Sequence, residues 1–162
     1  MISPCTFRHL FWYNNQTMKV FIEQTCEVNK KNVFDKQTGE YVKTVDFHLT
    51  YPYAYGCLVD TLASDGDELD CYVITDQKFE HSSIVECEPI GMVEYFEDGQ
   101  ADHKIFMIPT GETGEVTDEV KKQLLEFDAH YFEGQPNKKT KVGDFLGRES
   151  ALIEIGKAKL LN

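Results

Sequence analysis

The chain has 162 residues, 41% of them apolar, with 16 lysines and arginines against 28 aspartates and glutamates and a formal net charge of -12. That length suits one domain with a real core, the apolar content excludes a chain disordered by composition, and the acidic balance argues against nucleic acid as a main partner. An acidic protein binds phosphate through cations held on its carboxylates, so the charge points toward metal.

Residues 1–17 read as an N-terminal arm or extension, because Met18-Lys19-Val20-Phe21-Ile22-Glu23 has the character of a first strand; residues 18–162 then form a single domain. The apolar run Leu10-Phe11-Trp12-Tyr13 is too short for a signal peptide, and nothing later approaches a membrane span. Cys5, Cys26, Cys57, Cys71 and Cys87 are odd in number and include no Cys-x-x-Cys pair. They read as reduced thiols of a cytoplasmic protein rather than as a disulfide framework or zinc ribbon. No membrane partner is expected, and a homo-oligomer is left open.

Strand-like segments dominate from Lys19 to Ile108, with turn signals at Asp35 to Gly39, Ser64 to Asp67 and Glu97 to Gln100. Short strands on hairpin connections suggest a small barrel. Tyr51, Tyr53 and Tyr55 alternate at period two, which places their rings on one face if the segment is extended. Within Leu58 to Ile74, two apolar runs flank Ser64 to Glu68, so a hairpin gathers Asp65, Asp67 and Asp70 near its bend. Three clustered carboxylates suit a hard divalent cation such as Mg²⁺, which takes carboxylate, water and phosphate oxygens. The same residues also describe a solvated acidic turn. An EF-hand is excluded, because counting from Asp65 puts Asp70 at the position that requires glycine.

A second acidic turn, Glu94 to Lys104, offers Glu97, Asp98 and Asp102 beside Lys104, with Asp102 and Lys104 on one strand face. An acid to hold metal next to a base to hold phosphate is what a metal-phosphate site uses. Lys31 and Lys43 are further candidate phosphate contacts. Thr117 caps a predicted helix in which Asp118 and Glu119 fill the first turn, Val120, Leu124, Phe127 and Tyr131 form an apolar stripe, and Gly134 and Pro136 end it. Pro136 to Gly147 is expected to be a basic, polar connection, followed by a second helix from about Glu149 to Leu160 that buries Leu152 and Ile155.

Asp65-Gly66-Asp67-Glu68-Leu69-Asp70-Cys71 resembles the signature of the soluble family I inorganic pyrophosphatases. Tyr51-Pro52-Tyr53-Ala54-Tyr55-Gly56 is similar to that family's Tyr-Pro-x-x-Tyr-Gly, and Glu88-Pro89-Ile90-Gly91, Asp102-x-Lys104 and Pro109 follow at matching spacing. The resemblance implies an α+β, mainly β fold: an OB-like five-stranded barrel with one or two packed C-terminal helices and an active site on its rim. It implies Mg²⁺-dependent hydrolysis of pyrophosphate, with Mn²⁺ as a substitute. Asp65, Asp70 and Asp102 are then metal ligands, joined by Glu97 in the place of an aspartate, with Asp98 as its rival. Asp67 accepts a proton from, or orients, the attacking water, and Tyr55 hydrogen-bonds near the reacting phosphate. Lys31, Lys43 and Lys104 contact phosphate, and Glu23 binds a metal together with the substrate. Lys43 stands where the family commonly has Arg, Val33 where it often has Glu, and no Tyr-Lys pair follows the first helix. The alternatives are another phosphoanhydride substrate, or a non-catalytic OB-fold module in which the tyrosines stack bases.

Overall fold

Period-two burial along β1 (Met18–Gln24) buries Met18, Val20 and Ile22 while Phe21 and Glu23 face outward. The same alternation recurs in β4 (Ala54–Leu58) and β5 (Leu69–Val73). The structure, a computed structural model, describes residues 17–159. The expected arm at 1–17 lies outside the described residues except for Thr17.

Two further strands complete a closed ring: β6 (Ile84–Glu97) and β8 (Lys104–Pro109). β1 pairs with β4, β4 with β5 and β6 with both β1 and β8 in antiparallel fashion, while β5 and β8 run parallel. The result is the expected five-stranded OB-like barrel, with no free edge among its ring strands. β6 outruns the ring, and its extra length carries β7 (Gln100–Ala101) and β9 (Thr140–Gly147). A separate hairpin joins β2 (Lys30–Phe34) to β3 (Tyr41–Asp46).

The barrel interior is filled by Val20, Ile22, Leu58, Cys71, Val73, Ile105 and Met107, joined by Leu152 and Ile155 of α2 (Arg148–Ala158). This is the second helix expected from sequence, although Leu160 falls outside the described residues. On the outer wall, Phe106 and Val93 pack with Val120 and Leu124 of α1 (Asp118–Tyr131). The Thr117 hydroxyl accepts from the Val120 N–H at 3.2 Å, as its capping position predicts.

Two expectations need correction. The segment 136–147 is a loop only as far as Lys139, because Thr140–Gly147 forms β9 on the exposed side of β6. Its alternation is hidden by Gly143 and by a register shift opposite Val93 and Tyr95. The Gly143 backbone lies so close to Glu94 that an added Cβ would sit 2.9 Å from the Glu94 Cβ. Nor do the three tyrosines share a face, since β4 begins only at Ala54. The Tyr51 and Tyr55 rings lie 5.8 Å apart, whereas Tyr53 turns to α1 and donates to Gln123 at 2.6 Å.

Candidate active site

Asp70 and Tyr72 alternate with buried Leu69, Cys71 and Val73, so they project from the outer wall of the barrel, as do Tyr55 on β4 and Lys104 on β8. These side chains face α1 across a cavity. There the Lys104 ammonium donates to Asp70 at 2.5 Å, to Asp102 at 2.8 Å and to the Tyr55 hydroxyl at 3.4 Å, which uses all three of its protons. The backbone N–H of Asp102 donates to the Tyr95 carbonyl at 2.8 Å and so fixes that carboxylate just before β8 begins.

Two carboxylates around one ammonium leave an excess negative charge in a half-buried place. Burial pushes the Asp102 carboxyl up to about 6 despite the opposing pull of Lys104, and Asp70 adds to the rise. Burial works against the Lys104 ammonium, but Asp70 and Asp102 more than offset it and hold its pKa above the usual value. Burial, then Asp70, raises the Tyr55 hydroxyl far above its ordinary range, so Tyr55 stays a proton donor.

Glu23 reaches the same cluster through a defect in β1. The register slips between Ile22 and Gln24, leaving Glu23 as an extra residue opposite β4. The Glu23 carboxyl is pushed up to about 7, first by burial and then by Asp70, Glu68 and Asp67. Gly56 permits the close approach: a Cβ there would stand 1.8 Å from the Phe21 carbonyl oxygen. Asp67 itself is exposed on the β4–β5 turn, its N–H donating to Asp65 at 3.1 Å.

A cavity of about 670 Å³ opens between this wall and α1. Lys31, Tyr55, Asp70, Glu97, Asp102 and Lys104 all line it, so the fold assembles most of the residues singled out from sequence. Lys31 reaches it from β2, its ammonium donating to the Tyr131 hydroxyl at 2.7 Å. Glu97 sits where the long β6 ends and pairs with Lys138; the same ammonium lies 3.4 Å from Asp98. Asp98 also receives the Lys139 N–H at 3.0 Å, which ties the β6–β7 turn to the segment before β9.

Asp65, Asp67, Glu23 and Lys43 do not line the cavity. Asp65 and Asp67 stand on the exposed turn beside it, and Lys43 is exposed on β3 opposite Val33, two positions from the pair Val45 and Lys31. Among the described residues no three acidic, histidine or cysteine side chains are drawn together as a ready ligand set. Sequence reasoning missed Tyr72, Tyr95 and Asp128, which also line the cavity. Asp128 was findable: it stands four residues after Leu124, an acid on the helix face that otherwise carries the apolar stripe. Burial raises its pKa, against the hydrogen bond with Tyr95 and the charge of Lys104.

A family model described as inorganic pyrophosphatase matches residues 20–160. The inorganic pyrophosphatase of Aquifex pyrophilus is 33% identical, with 78% of each chain covered. That of Helicobacter pylori is 30% identical over 90% of this chain and 91% of its own. A solved structure of the Helicobacter pylori protein superposes with a TM-score of 0.77 at 27% identity, over 88% of this chain and 91% of that one. The Thermus thermophilus inorganic pyrophosphatase shares the fold, with a TM-score of 0.76 at 24% identity over 88% of both chains.

Proposed function

The chain belongs to the inorganic pyrophosphatase family, and from that premise we propose that it hydrolyses pyrophosphate to two phosphates, with Mg²⁺ as the native ion and Mn²⁺ as a substitute. The observation that carries the site assignment is the convergence of Asp70 and Asp102 on Lys104 in a cavity that Lys31 and Glu97 also line.

The donor chemistry fits a hard divalent cation. Asp70, Asp102, Glu23 and Glu97 offer only carboxylate oxygens, and burial first, then the neighbouring carboxylates, raises the pKa values of Asp102 and Glu23. Asp70 and Asp102 would hold the ion, together with Asp65 from the turn and Glu97 from the end of β6. When bound, Mg²⁺ neutralises phosphate charge and lowers the pKa of coordinated water. Asp67 would be the general base for the attacking water. Lys104 and Lys31 bind the phosphate oxygens, and Tyr55 donates its hydroxyl proton to an oxygen of the reacting phosphate. Glu23 would bind a metal together with the substrate.

We place the protein in the cytosol. Cys26, Cys57, Cys71 and Cys87 are free thiols, and among the described residues no helix is long and apolar enough to cross a membrane.

Phosphate release from pyrophosphate with and without Mg²⁺ tests the assignment. The Asp67→Asn variant is expected to lose about 100-fold or more, the scale of a missing general base. Equal rates for the two proteins, or release without a divalent ion, would sink it. One observation favours a second reading: the cavity wall includes Phe47, Tyr51, Phe127, Phe132 and Phe145, more apolar surface than pyrophosphate needs. The same chemistry then acts on a phosphoanhydride that carries an organic group. Comparing pyrophosphate with nucleoside triphosphates at equal concentration separates the two readings.

A further inference from the structure

Two amide side chains are buried among the described residues, and they meet: Gln24 at the end of β1 and Asn32 in β2 keep only 6% and 7% of their surface exposed. The Gln24 side chain pairs with the Asn32 backbone as a neighbouring strand would. Its Nε2 donates to the Asn32 carbonyl and its Oε1 accepts from the Asn32 N–H, both at 2.8 Å. It stands in for a strand where the β2–β3 hairpin, which forms a sheet of its own, meets the barrel.

The Asn32 side chain returns the contact. Its Nδ2 donates to the Glu23 carbonyl at 2.9 Å, and its Oδ1 accepts from the Thr44 hydroxyl at 2.7 Å. A carbonyl oxygen only accepts, so the amide faces Glu23 with its NH₂ end. Thr44, opposite Asn32 in β3, holds the other end, and the Tyr41 hydroxyl lies 2.7 Å from that of Thr44. None of these side chains lines the cavity.

Glu23 is the extra residue of the β1 bulge, and a bulge takes its extra residue off the ladder of strand pairing. The Asn32 amide supplies the partner that the Glu23 carbonyl needs. Losing that tie favours a regular register, and a slip of one residue turns a side chain to the other face of a sheet.

We propose that Asn32 and Gln24 are positioning residues for Glu23: the paired amides keep the bulge in place and so aim the Glu23 carboxyl at the cluster of Asp70 and Lys104. This rests on the reading that Glu23 binds a metal together with the substrate. Both amides act through the backbone, from outside the cavity.

The test compares the full chain with Asn32→Leu, Glu23→Gln and the double variant by calorimetry. The Mg²⁺-loaded proteins are titrated with methylenediphosphonate, a pyrophosphate analogue whose carbon bridge water does not cleave. Asn32→Leu keeps the size of the side chain and removes both of its hydrogen bonds. It is expected to weaken binding about fivefold, the scale of one net hydrogen bond, at a temperature where circular dichroism shows every variant folded. Glu23→Gln weakens binding more, and the double variant is no weaker than Glu23→Gln alone, because Asn32 acts only through Glu23. Gln24→Leu and Thr44→Val give smaller losses in the same direction, and Thr44→Val serves as the second variant should Asn32→Leu fail to fold. A purely structural role lowers the thermal midpoint and leaves the affinity unchanged. That result in Asn32→Leu, or losses that multiply in the double variant, overturns the proposal while leaving Glu23 as a ligand. Equal affinity in Glu23→Gln and the parent overturns the Glu23 reading and this proposal together.

Discussion

Asp70 on β5 and Asp102 before β8 grip the same ammonium, that of Lys104, at 2.5 and 2.8 Å. The parallel pairing of β5 with β8 sets Asp70 beside Lys104, since Cys71 lies opposite Ile105, and Asp102 stands two residues before Lys104. In the free protein Lys104 keeps two carboxylates from facing each other unscreened.

Removing that ammonium tests the balance. Lys104→Met should destabilise the metal-free protein by about 2 kcal/mol, below the cost of breaking a fully buried pair because both acids remain partly solvated. Their side chains keep 25% and 20% of their surface exposed. Urea unfolding with EDTA measures the loss, and repeating it with Mg²⁺ should recover most of it. A variant as stable as the parent without metal would mean that Lys104 does not screen the pair.

Gly56 makes a second prediction. Any side chain there collides with the Phe21 carbonyl, part of the backbone of β1 at the point where Glu23 bulges toward the cluster. Gly56→Ala should cost about 2 to 3 kcal/mol in denaturant unfolding, as overpacking against rigid backbone does. If the β1–β4 pairing relaxes to admit the methyl, Glu23 shifts with it, so the variant should also bind Mg²⁺ more weakly. A neutral Gly56→Ala would mean that the strands can separate freely here.

The barrel was legible in the sequence because alternation along β1, β4 and β5 is clean, and α1 because Thr117, the apolar stripe and Gly134 agree with one another. The pairing of Asp102 with Lys104 was legible too, since both stand at one end of a strand. β9 was not: Gly143 and the slipped register break the period on which a strand is read. Neither was the support of Lys31 by Tyr131, because helical spacing assigns Tyr131 to the apolar face and says nothing of a strand 100 residues earlier. Lys43 shows the converse limit. The family resemblance made it a phosphate contact, but it is exposed and outside the cavity lining.

Lys138 offers a third prediction. It bonds Glu97 and lies near Asp98, so a divalent ion drawn to Glu97 must first displace an internal cation. Lys138→Met frees the carboxylate at once. The expected result is a two- to threefold lower Mg²⁺ concentration for half-maximal activity, modest because solvent screens an exposed ion pair. A Mg²⁺ requirement that rises would instead make Lys138 a substrate contact.

The last prediction concerns pH. Burial, reinforced by Asp70, lifts the Glu23 carboxyl to about 7, and burial lifts Asp102 to about 6. In the unfolded chain both titrate near about 4. The folded protein therefore binds more protons than the unfolded one between about pH 4 and pH 7, so these two groups make it less stable as pH rises through that window. Thermal unfolding in EDTA should show a midpoint that falls from pH 5 to pH 7, and Glu23→Gln should flatten the upper part of that slope. Mg²⁺ reverses the logic, because a bound cation favours the ionised carboxylates and lowers their pKa values. The stabilisation by Mg²⁺ should accordingly grow from pH 5 to pH 8. Equal stabilisation at both ends, or a Glu23→Gln slope identical to that of the parent, would remove Glu23 from the metal-linked cluster.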